Sequence, residues 1–285
     1  MSVDSLAAFL NFSCRWQPSD CKKKPDKIGT IKSYSVPEGY RSALVSYYSD
    51  TGHSKLPESL DNEFKKYLKG FKKTIAKKRK FGELKASAGK DCLSFSDYKR
   101  LANLTFRSEC SMYSHFHLFL LKSWNLIARP DNSSELRIEH LKWVEDCFTI
   151  EVPCHKGDET GEHGYSTKHI YSNCLDPLLD IFLAMGMWLL TNNSVNACQR
   201  VFEASGIEEN FNAWLKRVLW QAQQDTSITA SMQVSSTDLS SYSARKGAPS
   251  YATSIPGLVN VISVWLRAGW SLGGVTGIHS CTRWW

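Results

Sequence analysis

Residues 61–80 read DNEFKKYLKGFKKTIAKKRK, with Phe64, Leu68, Phe71 and Ile75 at i, i+4, i+7 and i+11. That spacing lines one face of an α-helix, and the lysines occupy the other faces. The segment predicts a helix that rests an apolar stripe on a packed helical body and turns a cationic surface outward. Nine Lys and Arg stand here against two acids, so the chain's formal net charge of +7 is concentrated in these twenty residues and the remainder is formally neutral. Each phosphate neutralised by such a face releases condensed counterions and adds salt-sensitive affinity. Lys65, Lys66, Lys69, Lys72, Lys73, Lys77 and Lys78 are the candidate phosphate contacts. A solvated helix face or a localisation signal explains the same run. A membrane surface fits it less well, because the apolar stripe is narrow.

At 285 residues the chain has room for two modest domains or one large one, with a full hydrophobic core. No stretch approaches the roughly 18 uninterrupted apolar residues of a membrane span. The most apolar one, HFHLFLLKSWNLIA, is broken by Lys122 and Asn125 and reads as a buried helix. The start, MSVDSLAAFLNF, has no basic residues before a short apolar segment, which argues against secretion. Nine cysteines without a Cys-x-x-Cys pair point to reduced thiols, in nucleus or cytoplasm. Cys147, Cys154, His155, His163 and Cys174 are close in sequence but lack ligand pairs at finger spacing, so no metal is expected.

Residues 1–38 read as an irregular, polar segment. A partial helical domain spans 39–88, with PEGYRSALVSYY as one helix, a turn around Gly52 and Pro57, and then the basic helix. KFGELKASAGKDCLSF, carrying Gly82 and Gly89, reads as the linker to a second domain over 89–285. That domain opens with two helices running from Leu93 to about Ala128. Its period then changes: Phe148, Ile150 and Val152 alternate with Thr149 and Glu151 as in a half-buried strand. Glu145-Asp146 marks a tight turn before it, and KHIYS fits a third strand. LDPLLDIFLAMGMWLL returns to helix, with Pro177 in its first turn after Asp176. Residues 208–224 form another helix, and Pro249 sets the start of the last one close to Arg245. The expected fold is mainly α with a small antiparallel β-sheet.

Four short strings remain: Arg129 in SWNLIARP, Lys156 in CHKGDETG, Arg245 in YSARKGAPSY and Trp270 in LRAGWSLGG. Each residue alone has a plain reading, as a helix cap, a turn lysine or a core tryptophan. In this order they resemble the catalytic domain of tyrosine recombinases, and most closely that of Crypton-type elements of protists and fungi. The likeness covers roughly residues 40–279, and the basic helix falls where that family has its core-binding DNA clamp. The resemblance implies a helical core-binding domain followed by a catalytic domain, duplex DNA as partner, self-association on DNA, and no cofactor, metal, small-molecule substrate or membrane. It implies attack of a tyrosine hydroxyl on a phosphodiester, giving a 3′-phosphotyrosine link. Arg129 and Arg245 would then hold the phosphate oxygens, because a guanidinium donates parallel hydrogen bonds and stays charged. Lys156 would protonate the leaving 5′-oxygen, and Trp270 would offer its indole N–H.

Two positions depart from the family pattern. Tyr242 stands where the family has a histidine three residues before the second arginine, and a phenol does not exchange protons near pH 7. His279 stands where the nucleophilic tyrosine is expected, nine residues after Trp270. The tail GIHSCTRWW can be encoded so that a one-base shift places a tyrosine codon across Ile278 and His279. The chain is therefore expected to be a degenerate or frameshifted copy, altered or truncated at its C-terminal end, with impaired cleavage. A catalytically silent DNA-binding protein of the same ancestry and a helical protein-interaction domain remain as alternatives.

Overall fold

The computed structural model describes residues 3–21, 28–84, 89–107, 111–130, 136–152, 166–191, 199–202, 206–224, 238–257 and 259–270. The chain divides into two compact units, Met1–Ala88 and Gly89–Trp285.

The first unit is built on α1 (Val3–Ser13), α2 (Ser35–Asp50) and α3 (Glu58–Lys80). Leu60, Phe64, Phe71 and Ile75 form the buried stripe of α3, while Leu68 is only half-buried. The segment expected to be irregular contains α1. Leu6, Leu10 and Cys14 recur every four residues, which puts them on one helical face, and they are buried in the same cluster as Phe64. Tyr67 fixes the crossing by donating its hydroxyl to the Leu10 carbonyl at 3.1 Å. Beyond α1 the backbone of Cys14–Trp16 pairs with residues 29–32, and Arg15 and Ile31 form a β-bridge.

The second unit begins with α4 (Phe95–Phe106), started by Ser94, whose hydroxyl accepts from the Asp97 amide at 3.1 Å. The apolar α5 (Ser111–Leu126) runs through the centre of the core. Strands β1 (Leu141–Val144), β2 (Cys147–Val152) and β3 (Ser166–Ile170) form an antiparallel sheet in the order β1-β2-β3. Glu145 and Asp146 make the two-residue turn between the first pair, with Glu145 at φ 54°, as a tight hairpin requires. The alternation of β2 is imperfect. Thr149, on the polar side of the sequence pattern, is buried, with its hydroxyl donating to the Lys142 carbonyl at 3.0 Å.

Pro177–Leu179 form a 3-10 turn, and α6 (Ile181–Thr191) starts only after it. The Asp180 carboxylate accepts from the Phe182 amide at 2.6 Å and the Leu183 amide at 3.3 Å, so Asp180 caps α6. Next come α7 (Ile207–Gln224), α8 (Ser241–Ser254) and α9 (Val261–Ala268). The expected start of α8 near Arg245 is displaced to Ser241. The Ser243 hydroxyl accepts from the Ser240 amide there at 3.0 Å, and Pro249 lies inside the helix, where it removes a single backbone donor. α8 lies close to the chain before α4: a Cβ on Gly247 would stand 2.0 Å from the Leu93 carbonyl oxygen. Stacked aromatic pairs, Phe95 with Tyr251 and Tyr98 with Trp124, both at 4.2 Å, fill the contact. The architecture is mainly α with one small antiparallel sheet.

Candidate functional site

The C-terminal ends of α5 and α9 meet in the second unit. A helix ends with carbonyls that lack intrahelical donors and carry a partial negative charge, a natural place for cations. Three consecutive carbonyls at the end of α5 are taken by three different cationic side chains. Asn125 O accepts from Arg267 Nε at 2.8 Å, Leu126 O from Lys168 Nζ at 3.4 Å, and Ile127 O from Arg245 Nη1 at 2.5 Å. The end of α9 is bridged by the same groups: Ala268 O accepts from Arg245 Nη2 at 2.8 Å, and Arg267 O from Lys168 Nζ. Arg267 also donates Nη2 to His169 O at 2.9 Å, joining β3 to the assembly.

Local sequence explains how these side chains arrive. After α5 the chain turns through Ile127, whose φ of 51° is left-handed, and two residues later presents the half-buried Arg129. After α9, Gly269 adopts φ 65°, a conformation glycine takes without steric cost, and its amide and that of Trp270 return to Leu266 O and Trp265 O. Trp270 is thereby placed beside Arg245, with the guanidinium carbon 5.8 Å from its ring centroid. Its other neighbour is Trp265, edge-on at 6.0 Å.

Electrostatics follow from burial and crowding. Burial, then the nearby Arg129 charge, lowers the Arg245 pKa to about 10, against an opposing effect of Tyr242. Arg267 is likewise lowered to about 10 by burial. Lys168 is lowered to about 7, first by burial and then by Arg267 and Arg245. Among the described residues no carboxylate forms an ion pair with Arg129, Lys168 or Arg245. Among the described residues, backbone carbonyls are the hydrogen-bond partners of Lys168 and Arg245. Of the five guanidinium N–H groups, Arg245 commits donors on two nitrogens to carbonyls, so the cluster keeps donors for an anion.

Four residues singled out from the sequence thus come together: Arg129, Tyr242, Arg245 and Trp270, with Tyr242 exposed one turn before Arg245 on α8. Lys156 and His279 lie outside the described residues. Sequence reasoning missed Lys168 and Arg267. Lys168 sits in the segment read as a strand, and Arg267 lies in the same string as Trp270, but nothing in either pattern marks a buried cation. The lysines of α3 belong to the first unit. Lys65 pairs with Asp61 at 2.6 Å, Lys66 with Glu63 at 3.8 Å and Lys78 with Glu83 at 2.5 Å, and Lys72 lies 4.5 Å over the Tyr34 ring. Lys69, Lys73 and Lys77 are exposed and form no ion pair among the described residues.

Among the described residues no three His, Cys, Asp or Glu side chains cluster. Cys147 is buried and Cys174 exposed, whereas Cys154, His155 and His163 lie outside the described residues. No described helix is long and apolar enough to cross a membrane.

No family model matches the sequence, and no curated protein is found similar to it. Among solved structures, FLP recombinase in a Holliday junction complex is similar at a TM-score of 0.46 and 14% identity, over 81% of this chain and 57% of that one. XerH site-specific recombinase bound to its difH substrate, a pre-cleavage complex, is similar at a TM-score of 0.45 and 13% identity, over 64% of this chain and 47% of that one. The chain spans about half the length of these structures.

Proposed function

We propose that this chain is a duplex-DNA-binding protein of the tyrosine recombinase class, derived from a Crypton-type mobile element, whose second unit cradles a DNA phosphodiester. One observation carries the reading: Arg245 is fixed on the Ile127 and Ala268 carbonyls beside Arg129 and Trp270, with no described carboxylate neutralising either arginine. A cation cluster with no described carboxylate beside it favours an anion, and fixed guanidinium donors suit the three-oxygen face of a phosphoryl transition state. In this reading Arg129 and Arg245 hold the non-bridging oxygens, the Trp270 indole N–H donates to a third position, and Lys156 protonates the leaving oxygen. Lys168 orders the two helix ends that lead into Arg129 and Trp270. The lysines of α3 supply non-specific attraction to the duplex. With histidine at 279 in place of the nucleophilic tyrosine, strand cleavage is impaired and binding is the principal activity.

Gel-shift titrations of duplex DNA over rising salt, together with nicked suicide duplexes, test this. Expected are salt-sensitive binding, a loss of about tenfold or more in Arg245→Gln, and little or no covalent protein–DNA product. Failure of the wild-type chain to bind duplex DNA at low salt overturns the reading. A strong covalent band overturns the impaired-cleavage part alone.

A further inference from the structure

The helix α6 is apolar on every side: no residue of Ile181–Thr191 carries a charge. At about 100° per residue, Ile181, Ala184, Met185 and Trp188 fall on one arc, and these are buried in the core that α5 runs through. The opposite arc, about 160° wide, holds Phe182, Leu183, Gly186, Met187, Leu189 and Leu190. Leu183 is 41% exposed, Leu189 44% and Leu190 83%. Trp143, 63% exposed on β1, lies edge-on to Phe182 at 5.1 Å and carries the patch onto the sheet. The exposed parts of Trp143 and the three leucines amount to roughly 450 Å², a size at which an apolar patch marks an interface. A helix apolar all round is ordinarily covered all round. The neighbouring stretches 153–165 and 192–198 are polar, with Tyr165 and Val195 as their only large apolar side chains.

We infer that two copies of this chain pair through α6 in the absence of DNA, the helices crossing antiparallel at Gly186 about a two-fold axis, with Leu183 of each facing Leu190 of the other. Area supports this occupant. A standard interface buries about 800 Å² per partner, a little over half of it apolar, and the patch supplies that apolar share. Charge supports it too. The formal +7 lies in residues 61–80 and the rest of the chain is formally neutral, so α6 can meet its own copy without repulsion, whereas two α3 helices cannot. A lipid surface is a poorer match, because α6 has no lysine or arginine to hold head groups. Gly186 sits inside the arc, and outside its own helix no atom lies within 4 Å of where its Cβ would stand, so a second backbone can come close there. The pairing does not depend on the DNA reading above.

Sedimentation equilibrium of the full chain without DNA tests this, on wild type, Leu190→Glu, Leu183→Lys and a control, Phe12→Glu, at an apolar residue 65% exposed on α1. Wild type is expected to dimerise with a dissociation constant of about 1–100 μM. Leu190→Glu and Leu183→Lys each weaken the dimer by at least about tenfold. An equimolar mixture of the two regains it, because the new charges face each other across the axis. Phe12→Glu dimerises as wild type does. Far-ultraviolet circular dichroism of the variants matches wild type, since the replaced leucines already meet water. A wild type that stays monomeric throughout that concentration range overturns the inference, as does Leu190→Glu dimerising as tightly as wild type, or a mixture no tighter than either variant alone. Flotation of monomeric wild type with phosphatidylcholine vesicles, lost in Leu190→Glu, overturns it in favour of a lipid surface.

Discussion

Arg245 donates from Nη1 to the carbonyl of Ile127 at 2.5 Å, a residue 118 positions earlier, and from Nη2 to Ala268 at 2.8 Å. One planar side chain therefore ties the ends of α5 and α9 together. Arg245→Met keeps most of the volume and leaves both carbonyls without these donors, at an expected cost of about 1–3 kcal/mol. Arg245→Lys, which cannot serve two carbonyls with a fork, falls between wild type and Arg245→Met. Urea denaturation reads the difference. Equal midpoints for Arg245→Met and wild type contradict the bridging role.

Lys168 makes stability depend on pH. Its pKa in the folded chain is about 7, against an ordinary lysine value of 10.5, with burial as the main cause and Arg267 and Arg245 adding repulsion. Between those values the unfolded chain holds a proton that the folded chain has released, so stability from this group rises as pH rises from about 7 towards 10. Below the folded value the dependence disappears. In Lys168→Met this rise is expected to flatten, which urea midpoints at several alkaline pH values measure directly. A parallel rise in wild type and variant assigns the effect elsewhere.

Gly247 is required by contact, not by backbone angle. An added Cβ would lie 2.0 Å from the Leu93 carbonyl oxygen and 3.0 Å from the Trp124 ring. Since Leu93 N also donates to Ser243 O at 3.0 Å, the chain before α4 cannot retreat without losing that bond. Gly247→Ala is expected to cost at least about 3 kcal/mol through overpacking, or to prevent folding of the second unit. A thermal melt indistinguishable from wild type would show that α8 and the Leu93 backbone are further apart.

Leu10 tests the place of α1. The side chain is fully buried in the cluster with Phe64 and Phe71. Leu10→Ala is expected to destabilise the first unit by about 2–5 kcal/mol. The neighbouring exposed Asn11→Ala should change stability by less than about 0.5 kcal/mol. Hydrogen exchange in α3 reports both; equal protection in the two variants contradicts the packing of α1 on α3.

What the sequence made legible was periodicity. Phe64, Phe71 and Ile75 announce α3 because one face must leave water, and the Glu145-Asp146 step announces a hairpin because the flanking residues change period. What stayed hidden was decided by partners distant in sequence. Lys168 and Arg267 are ordinary letters in a strand and a helix, and their burial depends on carbonyls of residues 125–127. α8 starts at Ser241 rather than near Arg245 because Ser243 accepts from the Ser240 amide in the first turn, and one missing donor at Pro249 farther in does not undo that start. The helix α1 is not legible because Phe9 and Phe12 share its apolar stretch with Leu6 and Leu10 yet stay exposed, and the apolar face of α3 that covers the leucines lies fifty positions away.

Ile127 is branched at Cβ yet held at φ 51°, a conformation that such a residue resists at a cost of about 1–3 kcal/mol. The restraint comes partly from the guanidinium clasping its oxygen, and Arg129 follows two peptides on. The first arginine is thus aimed by a kink that the second keeps cocked. Removing the second would let the kink relax and swing the first out of line, so the pair should behave in double-mutant cycles as one unit.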